Sequence, residues 1–341
     1  MSEEIVHGYR LSPQQKRLWL LQQEADAHAF WSRCAVNIQG HLNSERLERA
    51  IARVVAEHEI LRTTFRLPTA ATVPVQVIHS ESPDSAELSW ELSQLSRDET
   101  VMVLRAPAMC ADLRSLENVV AQIVTFYESE AAGESAAIDT MQYADFAEWQ
   151  CELLESAEGE PGRRYWISRM SHADVSLPFA RRAEERTLFQ PQRLPIDVRA
   201  DVLDSRVVLA SWLILLQRLA GSAAVTLGIA LDGRGHPELV NSVGLYNRYV
   251  PLQIGLIDEQ LTIEQLSARL AHAENEAAQW QEYFGWPEAA NGSLPYFSVC
   301  FEERRRKNVF NASGVTFSVY ECDAVDDRFD LKLVSVLADG T

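Results

Sequence analysis

The sequence contains no CxxC pair. Its five cysteines, Cys34, Cys110, Cys151, Cys300 and Cys322, are scattered and odd in number. That argues against a disulfide scaffold or a structural zinc site and suits reduced thiols in the cytoplasm. Long hydrophobic runs are also missing. The most apolar stretch, residues 207–216, is broken by Ser211, and a bilayer needs about 20 apolar residues in one helix. It reads as a buried helix, and no membrane partner is expected. The amino terminus, MSEEIVHGYR, lacks a basic region followed by an apolar one, so no secretory leader is expected. Positive charge is scarce: 31 Lys and Arg against 49 Asp and Glu give −18, a field that disfavours nucleic acid and anionic membrane surfaces.

Most catalytic motifs are absent too. No GxxxxGK[ST] cradles a phosphate, and GxSxG, HExxH and GxGxxG do not occur. The eight histidines are dispersed. His58 lies between Glu57 and Glu59 at a helix end, which predicts a solvated or capping role. His236 follows Gly235 and precedes Pro237, as in a turn. His272 falls on a charged helix face and should be exposed. His7, His28, His41, His79 and His172 have no suggestive neighbours.

What remains is an ordinary globular composition, 47% apolar and 23% charged over 341 residues, long enough for about two domain-sized units. Ser12, Pro13 and Gln15 predict a capped helix start, and Asn43 caps a second helix with Leu47, Ile51, Val54 and Val55 on one face. Further helices are expected near residues 116–127, 141–154, 162–170, 203–219 and 263–280, with Gly221 ending the fourth of these. Strands are expected near residues 34–39, 61–67, 73–78, 100–104, 224–230, 246–254, 295–301, 315–320 and 329–336. Pro251 suggests an edge or irregular position for the 246–254 strand. Residues 173–195, with Pro178, Pro191, charge runs and no clear period, read as a linker. The organisation expected is therefore two α/β lobes, 1–172 and 196–341.

Several segments together resemble the condensation domains of nonribosomal peptide synthetases. YRLSPQQKRLW (residues 9–19) is similar to their opening motif, and HEILRTTF (58–65) to their HExLRTxF element. MQYADFAEWQ (141–150), the pair Tyr165-Trp166, GIALDGRGHPEL (228–239) and PYFSVCF (295–301) follow in family order. The resemblance implies two chloramphenicol-acetyltransferase-like α/β sandwich lobes set in a V around a tunnel. It implies peptidyl or acyl carrier protein domains and neighbouring synthetase modules as partners. Substrates would arrive on carrier phosphopantetheine, with no cofactor or metal bound to the domain itself. The family continues past the Phe329-Asp330-Leu331 strand, so the second lobe is expected to be truncated at its C-terminus, leaving an exposed sheet edge.

The same resemblance exposes a departure. The family's HHxxxDG motif, whose second histidine positions or deprotonates the acceptor amine, falls on PAMCADL (107–113). Ala108 stands at the catalytic position and has no proton chemistry. Asp112 remains, and two readings of it are compatible: pairing with Arg234 across the site, or capping the helix that follows. Arg62 is expected among the residues that shape the site. Arg248 occupies the place of a family asparagine. It fills part of the emptied tunnel, or recognises an anionic or carbonyl group, or makes a surface or interdomain ion pair. Cys110 would share a face with Ala108 if the strand persisted; it is either a nucleophile needing a nearby base or cation, or buried and inert. The related heterocyclisation pattern DxxxxDxxS is half matched, by Asp112 and Ser115 but not by Pro107.

Three functions follow: a condensation module acting by an altered route, a non-catalytic relative that recruits a carrier protein or tailoring enzyme, and an acyltransferase using coenzyme A thioesters. Carrier proteins tend to be acidic, so a local basic patch is needed on a −18 chain. Arg163 and Arg164, or the run from Arg304 to Lys307, are the candidates.

Overall fold

Side-chain caps set the first helix starts. The computed structural model describes residues 8–24, 29–69, 71–80, 88–133, 138, 140–170, 177, 189–196, 204–221, 225–255, 257, 260–287, 294–306 and 309–338. In chain order its elements are α1 (Pro13–Glu24), β1 (Trp31–Gln39), α2 (Ser44–Glu57), β2 (Thr63–Arg66), β3 (Val75–Ile78), β4 (Ser89–Ser96), β5 (Glu99–Pro107), α3 (Leu113–Ala132), α4 (Tyr143–Glu155), α5 (Glu160–Met170), α6 (Ser205–Ala220), β6 (Val225–Leu231), β7 (Arg248–Ile254), α7 (Ile263–Trp280), β8 (Val299–Arg306), β9 (Val309–Ala312), β10 (Val315–Ala324) and β11 (Leu331–Ala338). Ahead of α1, Ser12 Oγ accepts the Gln15 N–H while Gln15 Oε1 accepts the Ser12 N–H, both at 3.1 Å. This is a reciprocal capping box. Asn43 accepts the Arg46 N–H ahead of α2, and Gly221 closes α6 in the left-handed conformation at φ 60.

The chain forms two compact units that interleave along the sequence. The first comprises Met1–Glu152, Arg234–Tyr246 and Lys307–Asp326; the second comprises Leu153–Gly233, Asn247–Arg306 and Asp327–Thr341. These are not the contiguous lobes, 1–172 and 196–341, that the sequence suggests. The reason is strand pairing: β10 returns from far along the chain to hydrogen-bond with β1, pairing Ser32 with Ala324 and Gln39 with Thr316. The expected 173–195 linker lies outside the described residues apart from 177 and 189–195, as do His7, His28 and His172.

The first unit holds a five-stranded sheet of order β4-β5-β1-β10-β9 and the β2-β3 hairpin. Leu47, Ile51 and Val54 of α2 and Leu116, Val119, Val120 and Ile123 of α3 are buried, as are Val36, Ile38, Met102, Leu104 and Phe317 of the sheet. Each such side chain stabilises the fold by about 1.5–3 kcal/mol relative to exposure. β4 is exposed along nearly its whole length, so it shows none of the alternation that marks a half-buried strand.

The second unit holds a sheet of order β11-β8-β6-β7. β8 runs parallel to both β6 and β11, and β7 is antiparallel to β6. β7 is an edge strand, which accommodates Pro251 because its missing N–H breaks no ladder on the open side. Leu209, Leu213 and Leu216 of α6 and Leu266 and Leu270 of α7 share a core with Leu227, Ile229, Val250 and Leu252. Among the described residues, no helix is long and apolar enough to cross a membrane and no group of His, Cys, Asp or Glu could hold a metal ion.

Candidate functional site

The site is built at the junction between β5 and α3, in the first unit. β5 ends at Pro107, and the chain turns at once: the Cys110 and Ala111 N–H groups both donate to the Pro107 carbonyl, at 2.9 and 3.2 Å. Cys110 therefore lies in a turn and not on an extension of the strand. The face-sharing argument that linked it to Ala108 does not apply. Ala108, Met109, Cys110 and Ala111 are all buried. The carbonyls of the turn are taken up, Met109 O by Gln15 Nε2 at 3.0 Å and Ala111 O by Ser32 Oγ at 2.7 Å. The junction is closed by apolar side chains and structural hydrogen bonds.

Asp112 follows and does two things at once. As the N-cap of α3 it accepts the Ser115 N–H at 2.7 Å. It also receives Arg234, with Nη1 at 3.1 Å from Oδ2 and Nη2 at 2.9 Å from Oδ1, a fork geometry. Both side chains are 1% exposed. The Tyr246 N–H donates to Oδ2 at 2.9 Å, and the Arg234 guanidinium lies 4.4 Å over the Tyr246 ring. Burial opposes the charge on Asp112, but Arg234 and the Ser115 donors outweigh it and hold the carboxyl below its usual range.

The rest of the site grips segment Arg234–Tyr246. Ser115 Oγ accepts the Gly244 N–H at 2.9 Å and shares its proton between Asp112 Oδ1 and Gly244 O, both at 2.7 Å. Asn118 Nδ2 donates to Val240 O at 2.9 Å and Ser242 O at 3.1 Å. Gln122 Nε2 donates to Asn241 O at 2.8 Å. Asp112, Ser115, Asn118 and Gln122 recur at intervals of three, three and four, which is one helical face. That polar stripe on an apolar helix is the sequence signal that could have found Ser115, Asn118 and Gln122.

His58 belongs to this network. It is buried and not solvated, although it does cap the C-terminus of α2 through its backbone N–H. Its Nε2 lies 2.5 Å from Gln122 Oε1. Because the Gln122 amide nitrogen faces a carbonyl, its oxygen must face the imidazole, so His58 carries its proton on Nε2. Burial lowers the His58 pKa, with the Gln122 bond and Glu57 opposing.

Gly244 is required by close approach. A Cβ there would lie 1.9 Å from Tyr143 Cδ2. Tyr143 cannot yield: it is buried, and its hydroxyl donates to Leu245 O at 2.7 Å and meets Ser12 Oγ at 2.7 Å. Gly244→Ala is expected to cost about 3 kcal/mol of stability through overpacking, read as a lowered urea midpoint; a midpoint unchanged from wild type would contradict this packing.

The other candidates lie elsewhere. Arg62 sits in a 3₁₀ turn, Glu59–Arg62, with a contact to Glu59 at 3.8 Å and a hydrogen bond to the His79 carbonyl, so it braces β2-β3 and not Asp112. Arg248 belongs to the second unit; it is buried and donates to Gln281 O at 2.7 Å, which is not a surface ion pair. Arg163 is tied to the Leu154 and Ser156 carbonyls and to Glu160. It serves the α4–α5 turn, whereas Arg164 is 70% exposed and makes a surface ion pair with Glu160 at 3.5 Å. Arg304 is buried against Glu302 and Arg305 pairs with Glu303. The side chain of Arg306 and Lys307 lie outside the described residues.

A sequence model of the Condensation domain matches residues 5–106 and 90–288. Tyrocidine synthase 3 of Brevibacillus parabrevis is 24% identical over 95% of this chain, which corresponds to only 6% of that synthase. Among solved structures, the condensation domain from Monacolin K polyketide synthase MokA superposes with a TM-score of 0.77 at 20% identity, covering 98% of this chain and 89% of that one. The X-domain from teicoplanin biosynthesis, in its complex with OxyB, gives 0.73 at 20% identity, covering 98% and 85%. The mixed α/β fold is thus the chloramphenicol-acetyltransferase-like fold of those structures, and the chain belongs to the condensation-domain family.

Proposed function

We propose that this domain is a condensation-fold module of a nonribosomal peptide assembly line that binds a partner protein and does not form an amide bond by the histidine route. The observation that carries this reading is the sealed junction from Ala108 to Asp112. A general base must lie within hydrogen-bond reach of the proton it removes. Here the position of the family's catalytic histidine is a buried methyl group, and the neighbouring turn carbonyls are already bonded to Gln15 and Ser32. Asp112 offers no substitute, because Arg234, Ser115 and the Tyr246 N–H occupy its oxygens. It positions segment Arg234–Tyr246 and is not a proton acceptor.

On this reading the domain works in the cytoplasm and its two compact units correspond to the family's two lobes. Its partners are carrier proteins bearing acyl groups on phosphopantetheine, or a tailoring enzyme. The teicoplanin X-domain, whose structure is a complex with OxyB, supports protein recruitment as a use of this fold. Arg164 is an exposed cation that an acidic carrier could draw from its surface pair with Glu160.

The test is to incubate the domain with an acyl thioester loaded on a carrier protein and a panel of amine acceptors. Products are followed by mass spectrometry and carrier binding by calorimetry. Binding without product above a domain-free control is the expected result. Amide formation by the wild-type domain would overturn this reading and favour catalysis by positioning alone.

A further inference from the structure

We propose that Cys34 and Cys322 form an oxidisable clasp between β1 and β10. The two residues are directly opposed in the antiparallel register. Opposed residues in such a ladder have Cα atoms about 4.5–5.5 Å apart, inside the range of about 4.4–6.8 Å that a disulfide spans. Their Sγ atoms lie 2.7 Å apart, 288 residues distant in sequence. The strand register and the approach of the two sulfurs that a disulfide needs are therefore already in place. The other thiols sit differently: Cys151 Sγ lies 3.3 Å from Leu11 O and Cys300 Sγ 3.6 Å from Phe297 O.

The oxidant is a peroxide, small enough to reach a buried pair during local opening of the sheet. One thiolate attacks a peroxide oxygen; the O–O bond breaks, hydroxide leaves and the sulfur becomes a sulfenic acid. The second thiolate attacks that sulfur, the S–O bond breaks and a second hydroxide leaves, each hydroxide taking up one of the protons that the two thiols release. Two thiols and one hydrogen peroxide give one disulfide and two waters. The bond ties β1 to the late segment Lys307–Asp326 that completes the first unit, and a dithiol reductant reopens it.

The experiment exposes the folded full chain to hydrogen peroxide, blocks remaining thiols with an alkylating agent, and maps the digest by mass spectrometry without reduction. A peptide pair joining Cys34 to Cys322 is expected. So is a rise in the urea midpoint, because closing so long a loop restricts the unfolded chain; dithiothreitol reverses both. Cys322→Ala should abolish the rise while Cys300→Ala keeps it. The wild-type peptide map stands by itself if a variant fails to fold. Three results overturn the clasp: Cys34 and Cys322 recovered as thiols at peroxide doses that oxidise the less buried Cys151, either of them oxidised to sulfinic acid without a cross-link, or a cross-link joining other cysteines.

Discussion

Asp112→Ala is expected to lower the stability of the domain by about 4 kcal/mol, because breaking a buried ion pair by removing one partner costs about 3–5 kcal/mol and losing an N-cap about 1 kcal/mol. Urea unfolding followed by circular dichroism reads the change. Most of the loss comes from the guanidinium left behind: Arg234 is 1% exposed, and its approach to Tyr246 does not replace a carboxylate. Asp112→Asn separates the two contributions. Asparagine keeps the cap to Ser115 but carries no charge, so it should recover only the smaller part. Pairing Asp112→Asn with Arg234→Met should restore much of the remainder, since a buried pair replaced as a whole is far less costly than one broken. A loss within about 1 kcal/mol for Asp112→Ala, the size of a lost cap alone, would mean the pair is not the keystone of the junction.

Glu302→Gln is the second large expected effect, in the second unit. Glu302 is the carboxylate that both Arg304 and Lys332 contact, at 2.6 and 3.1 Å, with the Tyr249 hydroxyl at 3.4 Å. All of these side chains are buried. Removing the charge leaves two cations facing a neutral amide, at a cost of about 3–5 kcal/mol. The pH dependence follows. Burial opposes ionisation of Glu302, but Lys332 and Arg304 outweigh it and bring its pKa from 4.5 to about 2. A depressed carboxyl pKa gives stability that is present above the unfolded value and lost as pH falls through the folded one. Wild type should therefore lose stability between pH 4.5 and about 2, and the Gln variant should lose less over the same interval. Parallel acid limbs for the two proteins would show that Glu302 is not ionised in the folded state.

Local features were legible in the sequence because their causes are local. The capping box of Ser12 and Gln15, the Asn43 cap, the left-handed Gly221 and the helix Ile263–Trp280 are each decided by residues a turn apart. Pro251 announced an edge strand for the same reason. What could not be read depends on partners far along the chain. β4 and the short β9 exist because β5 and β10 offer them ladders, and β4 carries no burial pattern of its own. The interleaving of the two units follows from β10 pairing with β1, which no window of sequence contains. His58 reads as solvated beside two glutamates, but it is buried and its ring is bonded to Gln122, 64 residues on. Arg163 reads as part of a basic patch in the sequence, but the carbonyls of its own turn engage it. At the site, Asp112 and Arg234 were paired through resemblance and not through spacing. Only the stripe of Ser115, Asn118 and Gln122 carries a pattern that the sequence itself displays.

The late arrival of β10 also has a bearing on how the protein is made. A ribosome releases β1 and β5 early, but the strand that covers the other side of β1 follows nearly 300 positions later, Cys34 meeting Cys322 across a separation of 288. Throughout synthesis of the intervening chain, β1 presents an unpaired edge with Val36 and Ile38, both destined for the core. Such an edge is a template for pairing with other chains, and it persists for tens of seconds at elongation rates of about 5–20 residues per second. A nascent chain that stalls before residue 324 is thus a sheet waiting for its neighbour, and chaperone cover over that interval would protect this protein more than faster folding of either unit.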